Sequence, residues 1–465
     1  MNHSLETDYL VVGSGAVGMA FADILLSESD ADIVIVDRHD KPGGHWNDAY
    51  PFVRLHQPSA FYGVSSAELS KGRRDQVGLN KGLAELASGA EVSAYFDDVM
   101  QNRFLPSGRV RYFPLCDYEG DGKFVNVMSG ETFEVKARRK IVDCTWLKTS
   151  VPSTHTPQFS IGEGVNLIPP NGLPHLTQAP EGYTVIGAGK TGIDTCIWLL
   201  ERGVDPDRIR WISPRDGWLI DRRNTQTEEE FFEDSIGNVS RQMKAISEAE
   251  DVEDLFIRLE KYGVLLRIDT DVWPQMFHGA TISRMELEEM RRIKDVVRMG
   301  RVTALEQNRI VLEKGEVLVD RGEVFIDCTA SAIPNLEIKP VFTGDVITPQ
   351  TVRSYQPVFS AAFIAHVELA YEDEATKNDL CHVVPLPNHS TDWLPMTMAF
   401  MRNQMRWSQD QELRRWVREN RLDGFSKLVA SARGDDAKSA IINEMRGYMM
   451  GAAQNLQTLL GSMNT

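Results

Sequence analysis

One short stretch near the start of the chain restricts its fold more than any other feature. The stretch from Tyr9 to Asp37 contains an apolar run, a glycine turn, an amphipathic segment and a second apolar run. The turn, Gly13–Gly18, reads GSGAVG. This order predicts a strand, a crossover helix and a second strand parallel to the first.

Each part of this unit has a physical role in holding a dinucleotide. Gly13 allows a sharp turn out of the strand, Gly15 lets a pyrophosphate approach the backbone, and Gly18 lets the helix pack closely on the strand. The phosphates then meet the unpaired N–H groups at the helix N-terminus. Asp37 has the spacing of a carboxylate that accepts a ribose 2′-hydroxyl and repels a 2′-phosphate. The first unit is therefore predicted to bind a non-phosphorylated adenine dinucleotide, FAD or NAD.

The second half of the chain repeats this pattern. The apolar run Tyr183–Ile186 leads into GAGKTG at Gly187–Gly192, and the next strand is expected at Ile209–Ile212. No acid follows that strand, and Ser213 and Arg215 stand in its place. An arginine beside a hydroxyl matches a 2′-phosphate in charge and in forked hydrogen-bond geometry. The second unit is therefore predicted to bind NADPH, the alternative being that Arg215 is a solvated loop residue.

Composition bounds the remaining classes. A chain of 465 residues exceeds one growing hydrophobic core, so two or more domains are expected. A net charge of −17 argues against nucleic-acid or anionic-membrane partners, which require basic patches. The sequence contains no apolar run long enough for a transmembrane segment. Because the first strand begins so early, no signal peptide is expected, and the predicted location is cytoplasmic.

The cysteines and histidines exclude two further kinds of site. The five cysteines are scattered and never spaced as Cys-x-x-Cys, which favours a reducing compartment and leaves no redox dithiol. The ten histidines show no ligand spacing, so no metal is predicted.

A second internal repeat lies where each unit is expected to close. One apolar run ends in Asp-Cys-Thr at Asp143–Thr145, and a later one ends in the same letters at Asp327–Thr329. Each repeat is predicted to lie at the carboxyl end of a parallel sheet, beside its dinucleotide. Between the units, alternating runs at 109–117 and 123–128 predict a small antiparallel excursion.

The segment after Asp37 carries a family resemblance. It contains Gly-Gly-His-Trp at Gly43–Trp46, Tyr-Pro at Tyr50 and Leu-His-Gln-Pro at Leu55–Pro58. These motifs resemble the flavin-containing monooxygenases and their Baeyer–Villiger relatives, which together form the class B flavoprotein monooxygenases. The Leu-His pair is similar to the plant auxin-forming branch. Arg215 with the following tryptophan and Arg222 resembles the same families.

The resemblance implies FAD in the first unit and a segment that reaches the flavin ring. It further implies that NADPH reduces FAD and that one oxygen atom of O₂ enters a small organic substrate through a flavin C4a-hydroperoxide. His56 and Gln57 are then the catalytic candidates, since both can donate a hydrogen bond near the ring. The alternatives are an NADPH oxidase or flavin reductase without oxygen insertion, and a nucleotide-bound structural protein. The chain departs from the family where Asp143–Thr145 replaces Ala-Thr-Gly.

The predicted fold is α/β, with two Rossmann-like dinucleotide-binding domains, a helical insertion and a helical C-terminal region. The predicted ranges are 1–155 and 320–372 for the FAD domain, 175–319 for the NADPH domain with its helical insertion at about 225–295, and 373–465 for the helical region. Val358–Ala365 is expected to run back to the first domain as a strand. The apolar stripe of the last helix is predicted to face the core, with a tunnel wall or homodimer face as the alternative.

The predicted cofactor-binding residues fall into two groups. Those for FAD are Gly13, Gly15, Ala16, Val17, Gly18, Asp37, Arg38, Gly44, His45, Trp46, His56 and Gln57. Those for NADPH are Gly187, Gly189, Lys190, Thr191, Gly192, Ser213, Arg215 and Arg222.

Overall fold

The computed structural model describes residues 2–320, 322–331 and 336–463. Its α-helices are α1 Ala16–Glu28, α2 Gly89–Val99, α3 Lys190–Glu201, α4 Phe232–Glu248, α5 Val252–Lys261, α6 Arg284–Met290, α7 Pro357–Ala370, α8 Glu374–Leu380, α9 Trp393–Ser408, α10 Gln411–Glu419, α11 Ser426–Ala430 and α12 Asp436–Ser462.

The strands fall into two large and three small sheets. They are β1 Asn2–Val12, β2 Ile33–Val36, β3 Gly63–Val64, β4 Ala67–Glu68, β5 Val110–Phe113, β6 Cys116–Gly120, β7 Lys123–Asn126, β8 Thr132–Asp143, β9 Ser160–Ile161, β10 Leu167–Ile168, β11 Tyr183–Ile186, β12 Ile209–Ile212, β13 Gly217–Asp221, β14 Leu265–Leu266, β15 Met276–Ile282, β16 Asp295–Val297, β17 Val302–Glu306, β18 Arg309–Leu312, β19 Gly315–Leu318, β20 Val324–Asp327, β21 Phe342–Thr343 and β22 Val346–Ile347.

The first large sheet has the strand order β21-β22-β8-β1-β2-β5. Strands β22, β8, β1, β2 and β5 are mutually parallel, and Val12 at the end of β1 lies between Val36 and Asp143. All four residues of β2 are buried, as expected for a parallel strand covered on both faces. Strands β6 and β7 form an antiparallel hairpin on β8, which confirms the predicted excursion.

The second large sheet repeats this arrangement with the order β10-β20-β11-β12-β16, all parallel. Ile186 at the end of β11 lies between Ile212 and Asp327. In both sheets the strand that precedes the glycine turn is therefore flanked by the strand after the helix and by the strand that ends in Asp-Cys-Thr. The predicted pair of Rossmann-like units is confirmed.

Two predictions about the return to the first sheet are wrong. Val358–Ala365 is part of helix α7, which packs on α1. Nearly every residue of α7 is buried, and an apolar run of that length does not distinguish a buried strand from a buried helix. Strand β20 belongs to the second sheet, so a boundary at 320 assigned it to the wrong unit. Residues 332–335 of that predicted range lie outside the described residues.

The predicted helical insertion at 225–295 is correct only in part. Helices α4, α5 and α6 lie there, but β14 and β15 join β13 in a three-stranded sheet. Residues 276–282 read MFHGATI, in which buried positions stand at both ends and partly exposed ones in the middle, so no regular period marks the strand.

The predicted helical C-terminal region is confirmed as α8–α12. Helix α12 packs along α4, with Ile442, Ala452, Leu456 and Leu459 buried. Met449, an apolar residue of the same helix, is 44% exposed. The core-facing stripe is thus narrower than the sequence indicated.

Candidate functional site

The first glycine turn has the backbone that the pattern predicts. Gly13 has φ +97°, and its N–H donates to the carbonyl oxygen of Val36 at 2.8 Å. A Cβ on Gly18 would lie 1.9 Å from the carbonyl oxygen of Gly13, so α1 approaches the strand as closely as glycine allows. Helix α1 begins after Gly15 without a side-chain cap, which leaves N–H groups at its N-terminus for an anion.

The Gly43-Gly44 turn lies directly against this loop. The N–H of Gly43 donates to the carbonyl oxygen of Ser14 at 2.9 Å. Gly44 has φ +57°, and a Cβ on it would lie 2.9 Å from the Cα of Gly15. The backbones of the two glycine segments thus lie in close contact without intervening side chains, and a side chain at Gly44 would collide with Gly15.

Asp37 is bound by protein donors. Its Oδ2 accepts from the N–H of Ser14 at 2.5 Å and from the hydroxyl of Ser14 at 2.8 Å. Its Oδ1 accepts from the N–H of His39 at 2.8 Å and lies 3.0 Å from the His39 ring. Burial raises the pKa of Asp37, but the His39 and Ser14 hydrogen bonds outweigh it and lower the pKa overall. A carboxylate has about four acceptor positions, so a ribose hydroxyl would have to displace one of these donors.

The segment after the Gly43-Gly44 turn extends to the second unit. Trp46 donates from its indole N–H to the Tyr62 hydroxyl at 2.8 Å. The Tyr50 hydroxyl donates to Oδ2 of Asp194, in α3, at 2.7 Å. The Phe52 ring stacks on Trp198, also in α3, with centroids 4.7 Å apart. This segment therefore joins the two glycine units.

His56 and Gln57 lie at this junction. The His56 Nε2 is 3.8 Å from Oδ2 of Asp194, and 39% of the side chain is exposed. Although part of the side chain is exposed, desolvation by the surrounding protein atoms and the positive charges of Lys190 and Arg222 lower the pKa of His56 below its usual range, so the neutral imidazole predominates at pH 7. The Gln57 amide makes no side-chain hydrogen bond within the described residues. Both side chains are thus available as donors in a cleft that water reaches.

The second glycine turn has the same backbone geometry as the first, but more open space lies beside its middle glycine. Gly187 has φ +126°, and a Cβ on Gly192 would lie 2.1 Å from the carbonyl oxygen of Gly187. A Cβ on Gly189 would meet no atom within 4 Å. Helix α3 has no side-chain cap, and the ammonium of Lys190 in its first turn pairs with Asp194. The N-terminus of α3 is therefore accessible to a phosphate.

The residues after β12 form a positively charged corner. The Ser213 hydroxyl is buried and, within the described residues, has no hydrogen-bond partner. The guanidinium of Arg215 donates from Nη2 to Oδ1 of Asn388 at 2.9 Å. Burial and the neighbouring charge of Arg301 lower the pKa of Arg215.

Arg222, predicted to bind NADPH, is instead held by protein groups. Its side chain is 1% exposed and pairs with Glu286 at 2.8 Å. It also donates to the carbonyl oxygen of His56 at 3.2 Å and to Oδ1 of Asn80 at 3.2 Å. Its donors therefore link the two units.

The structure thus brings the Gly43–Trp46 turn against the first glycine turn and His56, followed by Gln57, to α3 of the second unit, while Arg38 is exposed. Sequence reasoning missed Asp194 and Asn388 as members of these sites, and it named Tyr50 only as part of a motif, without its contact to α3. The four-residue spacing of Lys190 and Asp194 on a predicted helix was a usable signal. No signal marked Asn388, because only the fold brings the C-terminal region to Arg215.

Some features are absent from the described part of the chain. No cluster of three or more His, Cys, Asp or Glu side chains suited to a metal ion occurs there. The five cysteines are free thiols. None of the described helices combines the length and apolar character that a bilayer crossing demands.

Close relatives occur in mycobacteria. The protein Rv2000 of Mycobacterium tuberculosis (strain H37Rv) and the protein Mb2023 of Mycobacterium bovis are each 49% identical over 426 residues, covering 92% of this chain and 79% of theirs. The chain belongs to this mycobacterial family. Both relatives are described as uncharacterized proteins, so kinship identifies no activity. A model of the NAD(P)-binding Rossmann-like domain matches residues 11–63, which contain the first glycine turn and the Gly43-Gly44 turn of this family member.

Solved structures show weaker likenesses to this family member. A flavin-containing monooxygenase from Stenotrophomonas maltophilia is 14% identical, with 79% of this chain and 98% of that chain covered and a TM-score of 0.44. An open form of cyclohexanone monooxygenase is 16% identical, with coverages of 79% and 87% and a TM-score of 0.47. A bacillithiol disulfide reductase from Staphylococcus aureus is 9% identical, with coverages of 79% and 100% and a TM-score of 0.42. Likenesses of this size identify neither an activity nor a cofactor.

Proposed function

We propose that the protein is an FAD-dependent, NADPH-reduced monooxygenase that inserts one oxygen atom of O₂ into a small organic substrate. The observation that carries this proposal is the junction of two dinucleotide units in one chain. The segment from Gly44 to Gln57 leaves the first glycine turn and docks on α3 of the second through Tyr50 and Phe52. Hydride transfer between two dinucleotides requires such proximity.

The residues present fit both dinucleotides. In the first unit the uncapped N-terminus of α1 and the bare backbone of Gly15 and Gly44 would hold the FAD phosphates. In the second unit the uncapped α3 and the open front of Gly189 would hold those of NADPH. When bound, FAD supplies a ring that takes hydride from NADPH and reacts with O₂.

The chain's own groups would orient the reacting partners. His56 is a neutral donor, and the Gln57 amide is free to donate a hydrogen bond. Lys190 and Asp194 fix the start of α3, and Tyr50 ties the flavin-side segment to it. These residues would position the two cofactors and donate hydrogen bonds to the reacting groups, which is the contribution that a protein makes to cofactor chemistry.

One observation favours the alternative, an NAD(P)H-dependent flavin oxidoreductase without oxygen insertion. The His56 side chain is 39% exposed, so the cleft is not closed to water. Exclusion of water is needed to keep reduced oxygen from leaving as H₂O₂. The two functions therefore differ in their oxygen product, which is an oxygenated substrate for a monooxygenase and H₂O₂ for an oxidase, and both products can be measured.

The test begins with the FAD content of the purified protein and its anaerobic reduction by NADPH. Mixing the reduced protein with O₂ then separates the candidates. In a monooxygenase without substrate, the reduced-flavin absorbance would be lost before oxidised flavin and H₂O₂ appear together, whereas in an oxidase all three changes would occur at one rate. An organic sulfide and a cyclic ketone, supplied with ¹⁸O₂, should yield labelled product. A protein that takes up no added FAD would refute both.

The Gln57→Leu variant sharpens the test. We expect NADPH to reduce it at nearly the wild-type rate, while more H₂O₂ is released per NADPH consumed, because only the oxygen half-reaction loses a donor. Gln101→Leu, at an exposed glutamine, is the control. Unchanged coupling in Gln57→Leu with normal FAD content would remove Gln57 from the active site.

A further inference from the structure

The loop between α8 and α9 is fixed onto strand β15. The N–H of Phe277 donates to the carbonyl oxygen of Asn388 at 3.3 Å, and the N–H of Ser390 donates to that of Gln275 at 3.1 Å. Oδ2 of Asp392 accepts from the N–H of Asn388 at 2.9 Å. The backbone of Asn388 is therefore held on both sides, and its side chain has a defined direction.

The Asn388 amide oxygen holds Arg215. Oδ1 accepts from Nη2 of Arg215 at 2.9 Å and lies 3.1 Å from Nε2 of His278. Arginine only donates, so the amide must present its oxygen, and His278 must carry its proton on Nε2. Two donors fill both lone pairs of this oxygen. Asn388 therefore orients the guanidinium without neutralising it.

The charge of Arg215 is not neutralised by an ion pair and can therefore attract an anionic ligand. Within the described residues it forms no ion pair; the nearby charge of Arg301 repels the guanidinium and that of Asp392 attracts it. The Arg215 side chain is only partly buried. A half-buried guanidinium with an amide partner and a second cation beside it matches a dianionic phosphate monoester.

This corner is continuous with the second glycine turn. His278 lines the same small cavity as Gly189 and Lys190. Trp218 also lines it, and its buried indole N–H has no hydrogen-bond partner among the described residues. A ligand that binds at both places must carry a diphosphate at α3 and a separate phosphate monoester at Arg215, and NADPH, with its 2′-phosphate, meets that requirement.

We propose that Asn388 is a positioning residue for nucleotide specificity: it holds Arg215 in place for the 2′-phosphate of NADPH. This proposal rests on the proposed use of NADPH and adds that the C-terminal region completes the specificity site. Asn388 acts through Arg215 and need not touch the nucleotide.

The sharpest test is Asn388→Asp, which keeps the shape of the side chain and places a carboxylate against Arg215. The new ion pair would compete with the 2′-phosphate and repel it. Binding is measured by calorimetry with 2′,5′-ADP and with 5′-ADP, which need neither flavin nor turnover. We expect Asn388→Asp and Arg215→Ala each to weaken 2′,5′-ADP by about tenfold to a hundredfold, the range of a charge-assisted hydrogen bond. Binding of 5′-ADP should change little.

Asn388→Ala and Asn308→Asp complete the set. Asn388→Ala should lose less affinity for 2′,5′-ADP than Asn388→Asp, because it removes the group that orients Arg215 without adding a negative charge. Asn308→Asp adds the same charge at an exposed turn and should bind both probes as the wild type does. Thermal unfolding midpoints report whether each variant is folded.

The outcomes separate this inference from the proposed function. If the wild type prefers 2′,5′-ADP and Asn388→Asp retains that preference, Arg215 needs no positioning and the inference fails alone. Equal losses for both probes in Asn388→Asp would show that the loop only supports the fold. If the wild type itself shows no preference for 2′,5′-ADP, the proposed use of NADPH fails, and the role of Asn388 fails with it.

Discussion

The two glycine units share a hydrogen-bond frame. In each, the first glycine of the turn donates to the last residue of the next strand, at 2.8 Å for Gly13 and 3.0 Å for Gly187. In each, the cysteine of Asp-Cys-Thr donates to the last residue of the central strand, at 3.0 Å for Cys144 and 2.9 Å for Cys328. The threonine hydroxyl then donates to the aspartate at 2.6 Å in both units. The frame therefore fixes the strand and helix geometry and does not distinguish the ligands.

The units differ in what stands in front of this frame. In the first, Gly44 packs on Gly15, and the carboxylate of Asp37 is filled by protein donors. In the second, Gly189 faces open space, and no carboxylate of the described residues lies within ion-pair distance of Arg215. The two units therefore differ in charge at the residues after each second strand, Asp37 in the first and Arg215 in the second, and not at the glycines.

The largest expected effect tests the shared frame. Gly18→Ala would place a methyl group 1.9 Å from the Gly13 carbonyl oxygen, so the helix must move off the strand. We expect Gly18→Ala to lose most soluble folded protein. Gly189→Ala meets no atom and should keep the wild-type unfolding midpoint, while its methyl group weakens 5′-ADP binding. Solubility, unfolding midpoints and calorimetry provide the measurements.

This pair can contradict the comparison in two ways. A stable Gly18→Ala would show that the close approach of α1 to the strand is not required. A stable Gly189→Ala with unchanged 5′-ADP binding would show that the phosphates do not lie at that glycine.

The next effect separates two arginines of the second unit, Arg215 after β12 and Arg222 after β13. Arg222→Met removes one partner of a buried ion pair and leaves Glu286 uncompensated, which costs about 3–5 kcal/mol of unfolding free energy. Arg215→Met has no acid to leave unpaired and should lower stability far less. Urea unfolding of both variants measures the difference. Equal stabilities would mean that Arg222 is not the structural link between the units.

The frame was predictable from sequence because glycine spacing and apolar runs are local signals. The strand, turn and helix around Gly13 and Gly187, and the matching ends at Asp143 and Asp327, follow from backbone geometry that few other residues allow. The family resemblance, rather than the glycine spacing, assigned the Gly43–Trp46 segment to the first cofactor site, and in the structure Gly44 lies against Gly15.

The remaining features depend on partners that are distant in sequence. Nothing near Asp37 indicated that Ser14, 23 residues earlier in the chain, would fill one of its acceptor oxygens. Nothing near Arg222 indicated Glu286, and nothing near Arg215 indicated Asn388. Helix α7 was missed because full burial removes the period that distinguishes helix from strand.

The smallest expected effect concerns His39, which comes shortly after the second strand of the first unit. The His39 ring lies between two carboxylates, 3.0 Å from Asp37 and 2.8 Å from Asp48. The Asp37 hydrogen bond raises the pKa of His39 above its ordinary value of 6.5, burial opposes it, and Asp48 adds to it. Because the folded-state pKa is the higher one, this stabilisation is complete below about pH 6.5 and is lost as pH rises through the raised pKa.

The His39→Gln variant should therefore flatten the fall of the unfolding midpoint between about pH 6 and pH 9, because glutamine hydrogen-bonds without titrating. Asp37 works in the opposite direction, since its lowered pKa removes stability only as pH falls below the ordinary carboxylate range, and it does not contribute in this window. His175→Gln, at an exposed histidine, is the control and should retain the wild-type slope. A wild-type slope in His39→Gln would mean that the charge of His39 makes no pH-dependent contribution to the stability of the first unit.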